Sequence, residues 1–241
     1  MNKETLVSEL EKINVFLSEE QLKQIDEFCL FLLAENKKYN LTAIREYEEV
    51  LLKHVYDSLT LAWVVELDSK SSLSLLDIGS GAGFPGIILQ IVYPNLKVTL
   101  LDSNGKKTKF LELVKEKLGL KNLTVINSRA EEYIEEKRES FDLVTARAVA
   151  NLNILMEFAV PFVKLEGNFI AMKANVENEI SLAIDTSLFL KCHIISIMEL
   201  TLPIENSQRT MVIVEKKEKT PEKYPRRYDQ IIKKPLKKLE K

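Results

Sequence analysis

Apolar residues follow helical spacing in the first part of the chain. Residues 18–21, Ser-Glu-Glu-Gln, match a capping box, in which the first and last side chains satisfy free N–H groups at a helix start. A second helix is predicted over residues 47–65, so residues 1–70 are expected to form a helical extension. The apolar stripe that follows the capping box consists of Leu22, Ile25, Cys29, Leu32 and Leu33.

Short apolar runs replace this pattern after Leu73, and helical stretches separate most of them. Alternation of this kind predicts an α/β fold with a mostly parallel sheet and right-handed crossovers. The last two runs have no helix between them and are expected to form an antiparallel hairpin, which gives a seven-stranded sheet. The predicted strands are residues 73–78, 97–102, 122–127, 141–146, 167–173, 192–200 and 209–217. The predicted helices between them begin near Pro85, Lys106, Leu152 and Val176.

This pattern divides the chain into three predicted parts. Residues 1–70 are the helical extension, residues 71–217 the α/β domain, and residues 218–241 a basic C-terminal tail. The tail contains Pro221, Pro225 and Pro235, so we expect an extended, partly disordered arm.

A glycine-rich stretch, LLDIGSGAGFPGI at residues 75–87, follows the first strand and fits two registers. Gly81, Gly83 and Gly86 match G-x-G-x-x-G, the dinucleotide fingerprint. Gly79, Gly81 and Gly83 match an alternating G-x-G-x-G. The second register is favoured because it begins the turn where the strand ends. The dinucleotide register would place Pro85 at a helix start where a pyrophosphate needs N–H donors, and proline has no N–H to donate.

An acidic residue ends the second predicted strand, 23 residues after Gly79. The carboxylate of Asp102 is placed there to accept hydrogen bonds from both hydroxyls of a ribose. The ribose occurs in both NAD and S-adenosyl-L-methionine (SAM), so Asp102 supports a nucleoside ligand without choosing between them.

The charge of the chain is unevenly distributed. The net formal charge is −2, but residues 215–241 contain eleven Lys or Arg and five Asp or Glu. A basic tail on an acidic body suggests a polyanionic partner, and a solvated C-terminus is the alternative. No apolar run approaches the ~20 residues needed to cross a bilayer. Cys29 and Cys192 match no metal or redox spacing, so buried free thiols, no bound metal and a cytoplasmic protein are expected.

Several separated motifs together resemble the RsmG (GidB) family of bacterial rRNA methyltransferases. They are LLDIGSGAGFPGI, SRAEEY, FDLVTARAVA, NKKYNLTAI and KHVYDSL, and the resemblance covers residues 20–227. It implies a Rossmann-like, class I SAM-dependent methyltransferase fold and transfer of a methyl group to N7 of a guanine in 16S rRNA. It also implies that SAM is the cofactor and that 16S rRNA or a precursor of the small ribosomal subunit is the partner. Nothing in the sequence requires more than a monomer, which is therefore the expected oligomeric state. A SAM-dependent methyltransferase acting on a different RNA or a small molecule is the alternative.

The resemblance also indicates site residues. It implies that Gly79, Phe84, Ala130, Glu131 and Arg147 line the SAM site, with Arg147 also the candidate catalytic residue. From the residues alone, Phe84 is equally consistent with the core, Glu131 with a solvated charge, and Arg147 with a surface ion pair. The full set of predicted cofactor-binding residues is Gly79, Gly81, Gly83, Phe84, Asp102, Ala130, Glu131 and Arg147.

The implied reaction requires few catalytic groups. Guanine N7 has an in-plane lone pair and no proton to lose, so in-line displacement at about 3 Å needs no general base. His54, with Asp57 and Ser58 nearby on one helix, is therefore interpreted as a packing or RNA-facing residue rather than part of a triad. RNA phosphates are expected to contact basic residues drawn from Lys106, Lys107, Lys109, Arg129, Arg147, Lys173, Lys216, Lys217, Lys219, Lys223, Arg226 and Arg227.

Overall fold

The computed structural model describes residues 1–68, 70–147 and 150–237, and its internal contacts divide the chain into two units. The first unit contains Met1–Leu73, Ser80–Asn127 and Thr201–Ser207. The second unit contains Ser74–Gly79, Ser128–Leu200 and Gln208–Lys241. The three-part division into residues 1–70, 71–217 and 218–241 stays a prediction.

The strands form a seven-stranded sheet in the order β3-β2-β1-β4-β5-β7-β6. Pairs β1/β4, β2/β3 and β4/β5 are parallel, and β7 pairs antiparallel with β5. The predicted α/β architecture, mostly parallel with a terminal hairpin, is confirmed. The strands are β1 (Ser74–Ile78), β2 (Lys97–Asp102), β3 (Leu123–Asn127), β4 (Phe141–Arg147), β5 (Val163–Lys173), β6 (His193–Thr201) and β7 (Gln208–Glu215).

The helices include those predicted from the apolar spacing. A π-helical segment, Leu51–Tyr56, joins α3 to α4, and a 3₁₀ turn, Val160–Phe162, precedes β5. The sequence did not predict the π-helical turn, α7 or α10. The helices are α1 (Lys3–Glu11), α2 (Glu19–Tyr39), α3 (Tyr47–Val50), α4 (Asp57–Val64), α5 (Gly86–Val92), α6 (Gly105–Leu118), α7 (Ala130–Lys137), α8 (Leu152–Ala159), α9 (Ile180–Leu190) and α10 (Tyr228–Lys233).

The start of α2 confirms the predicted capping box. Gln21 N donates to Ser18 Oγ over 3.2 Å, and Ser18 N donates to Gln21 Oε1 over 2.9 Å. The amide nitrogen of Gln21 also donates to the carbonyl oxygen of Val92 over 2.8 Å, so the same side chain satisfies an acceptor at the end of α5. Ile25 and Cys29 of the predicted stripe are fully buried. The helical spacing of apolar residues in the sequence therefore identifies the buried face of α2.

The expectation of an extended C-terminal arm is wrong for the described part of the tail, residues 218–237. Tyr224 and Ile231 are each at most 4% exposed, and Ile231 lies in α10. Two carboxylates of the second unit form ion pairs with this C-terminal segment and the residues that lead into it. Lys216 Nζ lies 3.0 Å from Glu139 Oε1, and Arg226 donates to both oxygens of Glu157 over 2.8 and 2.7 Å.

The tail was misjudged because its partners are distant in sequence. Prolines and a low apolar content are typical of an unfolded arm. The carboxylate of Glu157 is buried, however, and a buried charge requires a partner, which Arg226 supplies from about seventy residues further along the chain. Residues 238–241 of the predicted tail lie outside the described residues.

Both cysteines are buried free thiols, as predicted. Burial raises the pKa of the Cys192 thiol to about 12 and also raises the pKa of Cys29. Over the described ranges, the side chains bring together no group of three or more His, Cys, Asp or Glu that could hold a metal ion. Within the same ranges, no helix is both long and apolar enough to cross a bilayer.

Candidate cofactor site

The glycine-rich turn adopts the alternating register. Strand β1 ends at Ile78. Gly79, Gly81 and Gly83 have φ values of +69°, +58° and +98°, a region that side chains with a Cβ rarely enter. Gly86 is instead the first residue of α5. The three alternating glycines therefore form the turn, and the G-x-G-x-x-G register does not describe it.

Gly83 has a packing role in addition to its backbone conformation. A Cβ built on Gly83 would lie 2.3 Å from Cδ1 of Ile87 and 3.1 Å from Cδ2 of Leu111. The turn is thus pressed against α5 and α6. The backbone nitrogen of Gly83 donates to the carbonyl oxygen of Ser80 over 2.7 Å, and this hydrogen bond closes the turn.

Asp102 joins this turn to the end of β2. Its Oδ2 accepts a hydrogen bond from Gly81 N over 2.9 Å, and its Oδ1 accepts one from Asn104 N over 2.8 Å. Asn104 Oδ1 accepts from Lys106 N over 3.0 Å and so caps α6. A carboxylate has about four acceptor positions, so two such bonds leave Asp102 able to accept from further hydroxyls.

Phe84 is buried, with 3% of its surface exposed. Its ring stacks on His54 with the ring centroids 4.4 Å apart and the planes inclined at 26°. Phe28 contacts it at a centroid distance of 5.2 Å. The ring therefore anchors the glycine turn to the N-terminal helices, and His54 is a packing residue, one of the two roles predicted for it.

The hydroxyl of Ser58 does not take the position of a nucleophile in a Ser/His/Asp triad. The hydroxyl of Ser58 donates to the backbone carbonyl of His54 over 2.6 Å rather than to the imidazole. The ring of His54 is held by Thr42, whose Oγ1 lies 2.9 Å from Nε2. Ser58 is therefore a helix-stabilising hydroxyl.

The remaining predicted site residues belong to the second unit. Ile78 pairs with Ala146 in the parallel register of β1 and β4, so Gly79 and Arg147 follow at the carboxyl ends of neighbouring strands. Ala130 and Glu131 form the first turn of α7, where an acidic residue interacts favourably with the helix dipole.

Glu131 is largely buried, with 13% of its side chain exposed, and its Oε1 lies 3.8 Å from Nη1 of Arg129. Ala148 and Val149 of the TARAVA motif lie outside the described residues.

Six of the cations predicted to contact RNA phosphates form ion pairs within the protein: Arg129 and Arg227 each lie 3.8 Å from a carboxylate oxygen, and the other four make closer contacts. The closer pairs are Lys173 with Glu179 at 2.9 Å, Lys216 with Glu139 at 3.0 Å, Lys217 with Glu166 at 2.8 Å, and Arg226 with Glu157 at 2.7 Å. Exposed cations remain at the start of α6, where Lys106 and Lys109 lie one turn apart. On the second unit, a groove of about 300 Å³ is lined by Arg226, Asp229, Gln230, Lys233 and Lys234.

Two residues that hold the loop next to His54 were not identified from the sequence. Asn36 Oδ1 accepts from Thr42 N, and Asn36 Nδ2 donates to Thr42 O, each over 2.9 Å. The segment NKKYNLTAI carries the resemblance but has no clear turn residue, so its contact with His54 could not be inferred from spacing.

Comparisons with known proteins agree over nearly the whole chain. The family described as "rRNA small subunit methyltransferase G" (GidB) matches residues 21–219. A protein of Fusobacterium nucleatum named "Ribosomal RNA small subunit methyltransferase G" is 43% identical over 94% of this chain and 97% of its own length. A protein of the same name from Halalkalibacterium halodurans is 44% identical over 94% of this chain and 96% of its own length.

A solved structure extends the agreement to the fold. The precorrin-6y C5,15-methyltransferase of Geobacter metallireducens superimposes with a TM-score of 0.50 at 16% identity, over 67% of this chain and 87% of its own. At that identity the likeness concerns the fold alone. The family match and the two relatives cover most of the chain at over 40% identity, and the chain belongs to the rRNA small subunit methyltransferase G (GidB) family.

Proposed function

We propose that this protein transfers the methyl group of SAM to N7 of a guanine in 16S rRNA. The observation that carries the proposal is the near full-length match to proteins named "Ribosomal RNA small subunit methyltransferase G". The glycine turn gives it a physical basis, because Gly79 directly follows β1, the backbone of Gly81 contacts the carboxylate of Asp102, and Gly83 continues the same turn without a side chain. That arrangement suits a nucleoside with a ribose and no phosphate.

The residues proposed for SAM binding are Gly81, Gly83, Phe84 and Asp102 in the first unit and Gly79, Ala130, Glu131 and Arg147 in the second. Gly79, Gly81 and Gly83 present bare backbone, and Asp102 accepts from the ribose. Ala130 leaves room for the adenine ring beside Glu131, and Arg147 is the candidate catalytic residue. Phe84 supports the site through its ring contacts, because it is only 3% exposed.

The chemistry explains why no general base is required. When bound, SAM supplies an electrophilic methyl carbon on its sulfonium sulfur. Guanine N7 offers a lone pair and has no proton to remove, so the protein has to hold the base in line and exclude water. The target guanine has to be unpaired or turned out of its helix to reach the methyl group.

The test is transfer of a labelled methyl group from SAM to purified RNA substrates. We expect label at N7 of one guanine in 16S rRNA or in small-subunit particles, found by mapping the modified nucleotide. RNA from cells lacking the protein provides the unmethylated substrate. Label in another RNA or a small molecule, with none in 16S rRNA, would support the alternative substrate class instead.

Replacing Asp102 with alanine is expected to weaken SAM binding by about 1–3 kcal/mol, because hydrogen bonds to a charged acceptor are lost. Isothermal titration calorimetry measures the dissociation constant. Asn104→Ala is the matched control, since it removes the α6 cap from the same turn while leaving the carboxylate in place. Equal SAM affinities in the Asp102 variant and the native protein would contradict the ribose contact.

Replacing Lys106 and Lys109 together with alanine is expected to weaken RNA binding. It should also lower the magnitude of the slope of the logarithm of the RNA association constant against the logarithm of the salt concentration by about two. Each lost phosphate contact removes about one released counterion. Binding is measured between about 50 and 200 mM salt. The charge-matched control is Lys97→Ala with Lys121→Ala, two exposed lysines at the start of β2 and just before β3. If both double variants give the same salt slope, Lys106 and Lys109 do not contact RNA phosphates.

A further inference from the structure

His54 lies in the π-helical turn Leu51–Tyr56 and faces the glycine turn. Wide turns of this kind are rare and occur frequently at functional sites. The imidazole stacks on Phe84 at a centroid distance of 4.4 Å, and Phe84 directly follows Gly83. The N-terminal helices therefore contact the proposed cofactor site through this ring pair.

The orientation of the imidazole is fixed by hydrogen bonds at both nitrogens. Nδ1 lies 3.1 Å from the carbonyl oxygen of Lys53, and because a carbonyl only accepts, Nδ1 carries the proton of this contact. In the neutral imidazole, Nε2 then accepts from the hydroxyl of Thr42, 2.9 Å away. The same hydroxyl oxygen accepts from Ile44 N over 3.2 Å, so both the ring and the hydroxyl have defined roles.

Thr42 is itself held by the end of α2. Asn36 bonds the amide and the carbonyl of Thr42, each over 2.9 Å, and so fixes the loop between α2 and α3. The contacts form one continuous path of Asn36, Thr42, His54 and Phe84, which ends at the glycine turn. Each step of this path is a directional hydrogen bond or a ring stack, so the path fixes the position of Phe84 relative to α2.

We propose that Thr42 and His54 are positioning residues for SAM, which hold Phe84 and thereby the backbone of the glycine turn in its binding conformation. The inference rests on the proposed function in that it takes the glycine turn as the SAM site. It adds that the loop of residues 40–44, far from the glycine motif in sequence, sets the affinity for SAM. The helical extension is accordingly part of the cofactor site rather than an appendage.

The test compares Thr42→Val with Thr42→Ser. Valine keeps the shape and removes the hydroxyl, so we expect the dissociation constant and the KM for SAM to rise about five- to tenfold. The kcat at saturating SAM should stay within about twofold, and the KM for RNA should not change, because neither depends on SAM affinity. Serine restores the hydroxyl and should restore the SAM affinity.

Thr60→Val controls for the loss of a buried hydroxyl. Thr60 Oγ1 donates within its own helix to Asp57 O over 2.6 Å. This variant should lower the stability without changing the SAM dissociation constant. If Thr42→Val also lowers only the stability and binds SAM as the native protein does, the hydroxyl is merely structural and the proposal is overturned.

A second variant tests the path independently of Thr42. His54→Phe keeps a ring against Phe84 and removes both nitrogens, so it should weaken SAM binding as Thr42→Val does. The double variant should be no weaker than either single variant, because both remove the same bond. Additive losses would contradict a shared path, and His54→Phe carries the test alone if the valine variant does not fold.

The failure of this inference is distinct from the failure of the proposed function. A native protein that does not bind SAM, or does not methylate 16S rRNA, contradicts the proposed function. A native protein that does both, with Thr42→Val and His54→Phe variants of unchanged SAM affinity, contradicts only the positioning path.

Discussion

Replacing Gly81 with valine is expected to abolish measurable SAM binding, with an affinity more than about 100-fold below that of the native protein. The backbone at Gly81 has φ +58° and donates to Asp102 Oδ2 over 2.9 Å. A β-branched side chain would occupy the space proposed for the cofactor beside the main chain, and it disfavours this conformation by about 1–2 kcal/mol. Calorimetric titration with SAM measures the loss.

Gly119→Val is the matched control for this substitution. Gly119 has nearly the same φ, +63°, at the end of α6, and a Cβ built there meets no atom within 4 Å. Both substitutions place a β-branched residue at positive φ, so both should lower the free energy of unfolding by a similar amount. Only Gly81→Val should lose SAM, and normal SAM binding by that variant would show that the cofactor does not approach the turn.

Replacing Arg226 with alanine is expected to destabilise the protein by about 2–4 kcal/mol. The substitution leaves the Glu157 carboxylate, 1% exposed, as an uncompensated buried charge. It also releases the segment that leads into α10, where Tyr228 stacks on Phe158 at a centroid distance of 6.0 Å. Denaturant unfolding followed by circular dichroism measures the change.

The adjacent arginine provides the control for this prediction. The side chain of Arg227 is 86% exposed, and surface substitutions of this kind usually change stability by less than about 0.5 kcal/mol. The double variant Arg226→Met with Glu157→Leu should recover much of the loss, because it leaves no charge buried. A similar small effect for both arginines would mean that the tail is not held by this ion pair.

The tail shows why net charge is an incomplete guide to function. Its basic composition suggested a polyanionic partner, yet Lys216 and Arg226 neutralise carboxylates of the same protein. Deleting the tail would therefore remove buried contacts together with exposed charges. Point substitutions separate RNA binding from folding, which is the reason for choosing Lys106 and Lys109 as the test.

The sequence by itself determined most of the fold, because those signals are local. Apolar runs predicted all seven strands, and β2 begins and ends at the predicted residues, Lys97 and Asp102. The capping box predicted the start of α2. The glycine register also followed from local rules, since only glycine enters positive φ freely and a turn begins where a strand ends.

Only the tertiary structure decided which side chains meet across long separations. Glu157 with Arg226 and Thr42 with His54 follow no spacing rule. The buried ring of Phe84 packs against His54 and Phe28, which precede it by 30 and 56 residues. Periodicity reports which face of an element is buried, but not which element covers it. Those partners are set by the packing of the whole chain, because a buried charge or ring is stable only where the fold supplies its complement.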